Sequence, residues 1–277
     1  MRIGYVDYEL ENFHANVYLA ALRKELAGRG FRVVACTATK RKSGREWARK
    51  SGVPWFDSVE AMAPHVDCYV VLAPGKPETH LELCRQVFPF GKATYVDKTF
   101  APDLATARKI FALADQHGVG MQTTSALRYT AVQAYVHRVG RPRVRHLVAW
   151  GGGRSFHEYA IHPVELVVSC MGANAESLMR RGTGNQMQLL VNFSGGRTAV
   201  INVFVRAKTP YAASVTTAKE TRYIPVDTSR LFLDTAAALL DFFESGRPTV
   251  PRAESLMVRR ILDVAENPAA LKRFVRL

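Results

Sequence analysis

Two imidazoles and two carboxylates fall within the nine residues His157-Glu158-Tyr159-Ala160-Ile161-His162-Pro163-Val164-Glu165. On a helix that starts near Pro163, His162 stands at the N-terminal end and Glu165 about one turn along, close enough to orient the ring. An imidazole held in this way exchanges protons with a hydroxyl or carbonyl oxygen near neutral pH. No metal site is expected. His157-Glu158 and His162 form H-E-x-x-x-H, one residue longer than the spacing that puts two histidines on one helical face. A solvated capping pair would use the same residue types.

The elements around this cluster change character along the chain. In the first 125 residues, short apolar runs at Arg2–Asp7, Phe31–Ala38, Val66–Ala73, Ala93–Asp97 and Val119–Thr123 read as strands. Amphipathic stretches at Asn12–Ala27, Pro77–Val87 and Asp103–His117 read as helices, and Asp57–Glu60 as a helix start. Alternation of this kind predicts a doubly wound parallel sheet covered on both faces. Beyond Ser125–Thr130 the pattern shifts to strands at Val144–Trp150, Met187–Phe193, Thr198–Val205 and Ala212–Thr217, with Gly195-Gly196 as a hairpin connection. Helices at Ser229–Glu244 and Ala253–Ala265 close the chain. Two domains are expected, residues 1–125 and 126–277.

In a doubly wound sheet ligands sit at the carboxyl ends of the strands. The first such segment is Asp7-Tyr8-Glu9-Leu10-Glu11-Asn12, with no glycine and three carboxylates. A dinucleotide fold normally offers glycines here, so that backbone amides approach the pyrophosphate. Each carboxylate would instead repel a phosphate by roughly 1–3 kcal/mol at contact range. The second segment, Thr39-Lys40-Arg41-Lys42, is basic and lacks the acid that holds an adenosine ribose. It favours a 2′-phosphate, hence NADP over NAD, if a dinucleotide binds; a solvated charge run is the alternative. Ala73-Pro74 with His80 follows the third strand, and Asp97-Lys98-Thr99 the fourth. Lys98 is placed to anchor a ribose or polarise a substrate hydroxyl.

Composition narrows the classes. The chain has 277 residues, 48% of them hydrophobic and 22% charged, which fits a globular protein. No apolar run approaches the roughly 18–20 residues of a membrane span. With four cysteines, no C-x-x-C pair and no leader pattern, a reduced cytoplasmic protein is expected. The net charge of +14 is concentrated in the second half, which holds 21 basic and 11 acidic residues against 17 and 13 in residues 1–125.

Four motifs, in order and spacing, resemble the glucose–fructose oxidoreductase/inositol dehydrogenase (Gfo/Idh/MocA) family. Val66-Asp67 leading to Ala73-Pro74 and His80 is similar to the family's strand, T-P and downstream H. Gly91-Lys92-Ala93-Thr94-Tyr95-Val96-Asp97-Lys98-Thr99 resembles its GKHVLCEKP stretch, with Asp97 and Thr99 in place of Glu and Pro. Thr124–Tyr129 looks like the entry to the second domain, and Glu158-x-Ala160-x-His162-x-x-Glu165 like D-x-G-x-H-x-x-D. The resemblance implies an α/β chain: an N-terminal Rossmann-like domain, then a C-terminal α+β domain with a mixed, mostly antiparallel open sheet. It implies NAD(P) as cofactor and a sugar, polyol or related hydroxyl as substrate. Lys98 and His162 would carry the proton work, with Glu165 and Glu158 as their acidic neighbours. Asp7, Tyr8, Thr39, Lys40, Ala73, Pro74, His80 and Asp97 would line the cofactor, and Arg128, Tyr129, His157 and Tyr159 the substrate.

Two other readings stand beside this one. The acidic first loop suits a family member that has lost the dinucleotide and performs elimination, epimerisation or hydrolysis. Arg138, Arg141, Arg143, Arg145 and Arg154 could instead form an anion-binding stripe, although no recognition helix or aromatic–basic signature accompanies them and nucleic acid is not an expected partner. A homo-oligomer, dimer or tetramer, is expected because an open sheet leaves an apolar face. No membrane partner is expected.

Overall fold

The computed structural model describes residues 1–277. The first sheet alternates with helices as β1 (Arg2–Asp7), α1 (Phe13–Arg23), β2 (Arg32–Ala38), α2 (Arg41–Ser51), α3 (Val59–Met62), β3 (Cys68–Val71), α4 (His80–Val87), β4 (Thr94–Val96), α5 (Leu104–Gln116) and β5 (Met121–Gln122). All five strands are parallel, in the order β2-β1-β3-β4-β5. Ile3 and Tyr5 of β1 join one core with Trp47 of α2 and Tyr18 of α1. Residues of the opposite parity, Val6, Tyr69, Val71 and Val96, are buried as well. Both faces are therefore covered, as near-continuously apolar strands require.

The second sheet follows α6 (Ala131–Val139). It contains β6 (His146–Gly153), then after α7 (Phe156–Tyr159) and α8 (Ile161–Met171) come β7 (Ala175–Arg181), β8 (Gln186–Phe193), β9 (Arg197–Val205), β10 (Ala212–Thr216) and β11 (Thr221–Pro225). Helices α9 (Leu231–Ser245) and α10 (Arg252–Glu266) precede the last strand, β12 (Val275–Arg276). The order is β11-β10-β6-β9-β8-β7-β12, antiparallel except where β6 meets β9. The hairpin expected at Gly195-Gly196 joins β8 to β9, with φ of 73° and 71° at the two glycines. Such positive angles favour glycine.

Three strands and three helices, α2, α6 and the short α7, were not legible. β7 and β11 alternate polar and apolar residues only in part, β12 is two residues long, α2 is strongly basic, and α6 begins at a Thr130–Gln133 capping box and buries only Val132, Tyr135 and Val136. The domain division also needs correction. One compact unit takes Met1–Thr124 together with Phe232–Val250, and the other takes Ser125–Leu231 with Pro251–Leu277. Most of α9 thus belongs to the first unit. Its Ala236, Leu239, Leu240 and Phe243, one helical stripe, pack into the core that holds Ile3, Tyr5 and Val70. Arg29 adds ion pairs to Asp241 and Glu244 at 2.9 and 2.8 Å.

All four cysteines are free and buried. No helix is long and apolar enough to cross a membrane.

Candidate active site

The strand order places the topological switch between β1 and β3, and the residues there are joined. Asp7, at the end of β1, is fully buried, and its carboxylate accepts from Ala73 N at 2.8 Å just beyond β3. It also accepts from Glu9 N at 3.1 Å and from Asn12 Nδ2 at 2.8 Å. Burial pushes the Asp7 carboxyl up to about 7, against the hydrogen bonds from Glu9, Asn12 and Ala73 that favour its anion. The folded chain therefore holds a proton up to about pH 7 that an unfolded aspartate releases at about 3.9. This group's contribution to stability is full below about pH 4 and is lost as pH rises to about 7. Asp7→Asn should flatten that dependence, whose slope is at most about 1.4 kcal/mol per pH unit. Urea unfolding of both proteins between about pH 5 and 8 checks it, and equal slopes would disprove it.

The loop's other acids are paired. Glu9 meets Lys40 Nζ at 2.8 Å, and Glu11 lies 3.7 Å from Lys50. The hydrogen bond to Lys40 lowers the Glu9 carboxyl, and the same bond raises the Lys40 amine. Lys40 also sits 5.3 Å over the Tyr8 ring. Thr39 N donates to Asp7 O at 3.0 Å and Lys40 N to Tyr8 O at 2.9 Å, so the sequence-predicted residues 7, 8, 39, 40 and 73 do converge. They converge on one another, and of the two lysines in the basic segment expected to favour NADP, Lys40 is held by Glu9.

This end of the sheet does not fit the diphosphate of a nicotinamide dinucleotide as glycine loops hold it. The amide of Glu9 is occupied by Asp7, that of Asn12 by Leu10 O at 2.8 Å, and that of Ala15 by the Asn12 cap at 3.0 Å. Leu10 is fully buried in the core, where it pins the loop.

Lys98 follows β4 and is largely buried. Its neighbours on both sides are clamped. Asp97 Oδ2 lies 2.5 Å from Nδ1 of His14 on the first turn of α1. Burial opposes ionisation of Asp97, but the charge and hydrogen bond of His14 outweigh it and hold the carboxyl below its ordinary range. His80, fully buried, places Nδ1 3.1 Å from Thr99 O and Nε2 close to Leu72 O. Burial lowers its pKa despite those carbonyls, which keeps the ring neutral. The expected cofactor contacts at His80 and Asp97 are thus corrected: both are internal ties that fix the turn bearing Lys98. Pro74 is half-buried beside them.

In the second unit His162 lies in the first turn of α8, whose residues from Pro163 to Met171 are all buried. Ser125 Oγ is 2.7 Å from its Nδ1. Rings of Tyr159 and Tyr211 flank it at 5.9 and 6.1 Å between centroids. Gly151 and Gly153 of β6 make this approach possible. A Cβ on Gly153 would fall 2.1 Å from the Tyr159 ring, and one on Gly151 would come within 3.0 Å of Pro163.

Glu165 does not orient His162 as expected. Its Oε1 accepts from Arg128 Nε at 2.6 Å, and Arg128 Nη1 donates to Glu254 Oε2 at 2.7 Å. These three side chains are buried together, so Arg128 is an internal cation between two carboxylates. Glu158 and His157 are exposed on α7, where His157 lies 3.2 Å from Glu266. Tyr129 is half-buried. Three of the five arginines of the expected stripe have partners of their own. Arg138 belongs to α6 and lies 5.4 Å over Tyr135, while Arg141 pairs with Glu254 at 2.7 Å. Arg143 caps Val139 O at 3.2 Å. Ser125, Tyr211, His14 and Glu254 were missed; only Ser125 fell inside a noted motif, and the glycine run at 151–153 was the unread signal for the close approach.

A parallel sheet with a β1/β3 switch, followed by a mixed sheet carrying a histidine at a helix start, makes a two-domain α/β architecture. Residues 3–125 match the Gfo/Idh/MocA model, described as an oxidoreductase family with an NAD-binding Rossmann fold. Solved structures extend the likeness over both units. A scyllo-inositol dehydrogenase from Lactobacillus casei is 13% identical with a TM-score of 0.82, covering 100% of this chain and 98% of that one. A UDP-N-acetylglucosamine 3-dehydrogenase from Acidithiobacillus ferrooxidans is 16% identical with a TM-score of 0.76, covering 96% and 95%. Biliverdin reductase from Synechocystis sp. PCC 6803, solved with biliverdin and NADP+, is 14% identical with a TM-score of 0.70, covering 98% and 99%. A comparison with curated proteins finds no match.

Proposed function

We propose that this chain is an oxidoreductase acting on a hydroxyl or carbonyl of a sugar, polyol or related small molecule, with Lys98 and His162 sharing the proton transfer. The observation that carries the proposal is His162, held at a helix start by Ser125 and two tyrosine rings. A ring so oriented takes a proton from an alcohol or returns it to the alkoxide. Lys98 lowers the energy of that alkoxide by its charge. In the family, NAD(P) supplies the redox chemistry. NADP stands ahead of NAD because Arg41 and Lys42 stay exposed on α2, yet the residues after β1 do not fit the diphosphate.

That misfit favours a second reading, in which the same acid–base pair serves elimination, epimerisation or hydrolysis without a dinucleotide. Calorimetric titration with NAD(H) and NADP(H), followed by turnover assays on polyols and sugar derivatives, decides between them. Micromolar binding with dinucleotide-dependent turnover supports the first reading. No heat with any of the four nucleotides would overturn it in favour of the second.

The proposal includes a homo-oligomer. Met179, Leu190, Val200 and Val148 form one cross-strand row on the second sheet that continues through Ser214 to exposed Tyr223. Light scattering that returns a monomer at micromolar concentration would remove that element.

A further inference from the structure

We propose that Ser125 is the positioning residue for His162, accepting its Nδ1–H so that Nε2 is the atom that takes and returns the proton. The inference deepens the acid–base role of His162 given above and rests on it. Ser125 is fully buried, and its Oγ accepts from Leu127 N at 3.2 Å as the cap of the turn Ala126–Arg128. The hydroxyl is therefore fixed before it meets the ring at 2.7 Å. Three residues further along both segments, Arg128 donates to Glu165 at 2.6 Å. Both bonds span 37 residues and join the same turn to α8, so neither element slides without breaking both. Glu254 holds Arg128 from α10 at 2.7 Å. The buried charges that the sequence suggested for substrate work act as the brace for this geometry.

A serine oxygen has two lone pairs. One takes the Leu127 amide and the other takes Nδ1–H. The neutral ring then presents a bare Nε2, able to accept a hydroxyl proton. Once Nε2 is protonated, the cation still donates Nδ1–H to the same oxygen, and returning the proton restores the starting tautomer. No heavy atom has to move. A carboxylate at this position would also orient the ring, but its charge would bias the ring toward the cation. Of the two acids that the family resemblance puts near the histidine, Glu165 is bound to Arg128 and Glu158 is exposed on α7. An uncharged partner suits a reaction that runs in both directions.

The test is nitrogen-resolved NMR of the full chain carrying 15N-histidine, with the His162 signals identified by their loss in His162→Gln. The neutral His162 ring should show the Nδ1–H tautomer. Ser125→Ala should lose that bias, and Ser125→Thr, which keeps the hydroxyl, should retain it. On a turnover substrate, Ser125→Ala should lower kcat about five- to tenfold, the worth of one hydrogen bond, with KM little changed. A wild-type ring in the Nε2–H form, or a tautomer unchanged in folded Ser125→Ala, would overturn the proposal. Loss of the bias in Ser125→Ala supports it even where no hydroxyl substrate turns over, and that second result would strike at the proposed reaction alone.

Discussion

His162→Gln should lower kcat/KM on a hydroxyl substrate by about 10²- to 10⁴-fold, the usual contribution of a positioned acid–base group. Glutamine matches the imidazole closely in reach and can keep a hydrogen bond to Ser125, so the packing between Tyr159 and Tyr211 is preserved while proton exchange is lost. The melting temperature should therefore stay near that of the parent. The pH profile should also lose the limb that the imidazole's titration creates, since glutamine has no proton to exchange near neutrality. Kinetics over a broad pH range with a single polyol substrate measure both effects. A kcat/KM within about threefold of the parent, or an unchanged pH limb, would show that His162 is not the acid–base group.

Glu254→Gln should destabilise the folded chain by about 3–5 kcal/mol, the cost of breaking a buried ion pair by removing one partner. Glu254 is nearly fully buried, with one oxygen 2.7 Å from Arg128 Nη1 and the other 2.7 Å from Arg141 Nη1. Arg128 also binds Glu165, so two cations and two anions balance in this cluster. Neutralising Glu254 leaves a net positive charge that the interior cannot solvate. For a chain of this size the loss should lower the melting temperature by roughly 10 °C. Arg141→Gln should cost much less, because the Arg141 side chain is 43% exposed and water screens what remains. Thermal unfolding of both variants checks the order, and equal losses would show that the cluster does not depend on burial.

The two effects separate by place in the fold. His162 stands at the start of α8, half-buried, where a substitution changes chemistry. Glu254 and Glu165 lie deeper, where a substitution changes what holds that helix still. From the linear chain alone Glu165 and His162 look like one unit, because a helix puts residues three apart on neighbouring positions. Arg128 captures Glu165 from a turn 37 residues earlier, and spacing along a helix cannot reveal such a partner.

The sequence by itself determined the local elements and the chemistry available to them. Near-continuous apolar runs set the five parallel strands. Gly195-Gly196 set the β8–β9 hairpin, and the run from His157 to Glu165 located the imidazole at a helix start. These features depend on residues close together in the chain, where backbone geometry and side-chain period are local properties. It also determined that the loop after β1 has no glycine. Only the tertiary structure decided what that loop does: Asp7 turns inward to Ala73 across the β1/β3 switch, and Glu9 closes on Lys40. Only the tertiary structure sent α9 back to the first unit, because its apolar stripe could be buried against any open face and packing selected one. It likewise gave His162 a serine in place of the glutamate that spacing suggested. Charge pairing and burial act through space, and a reading along one dimension meets those partners only by chance.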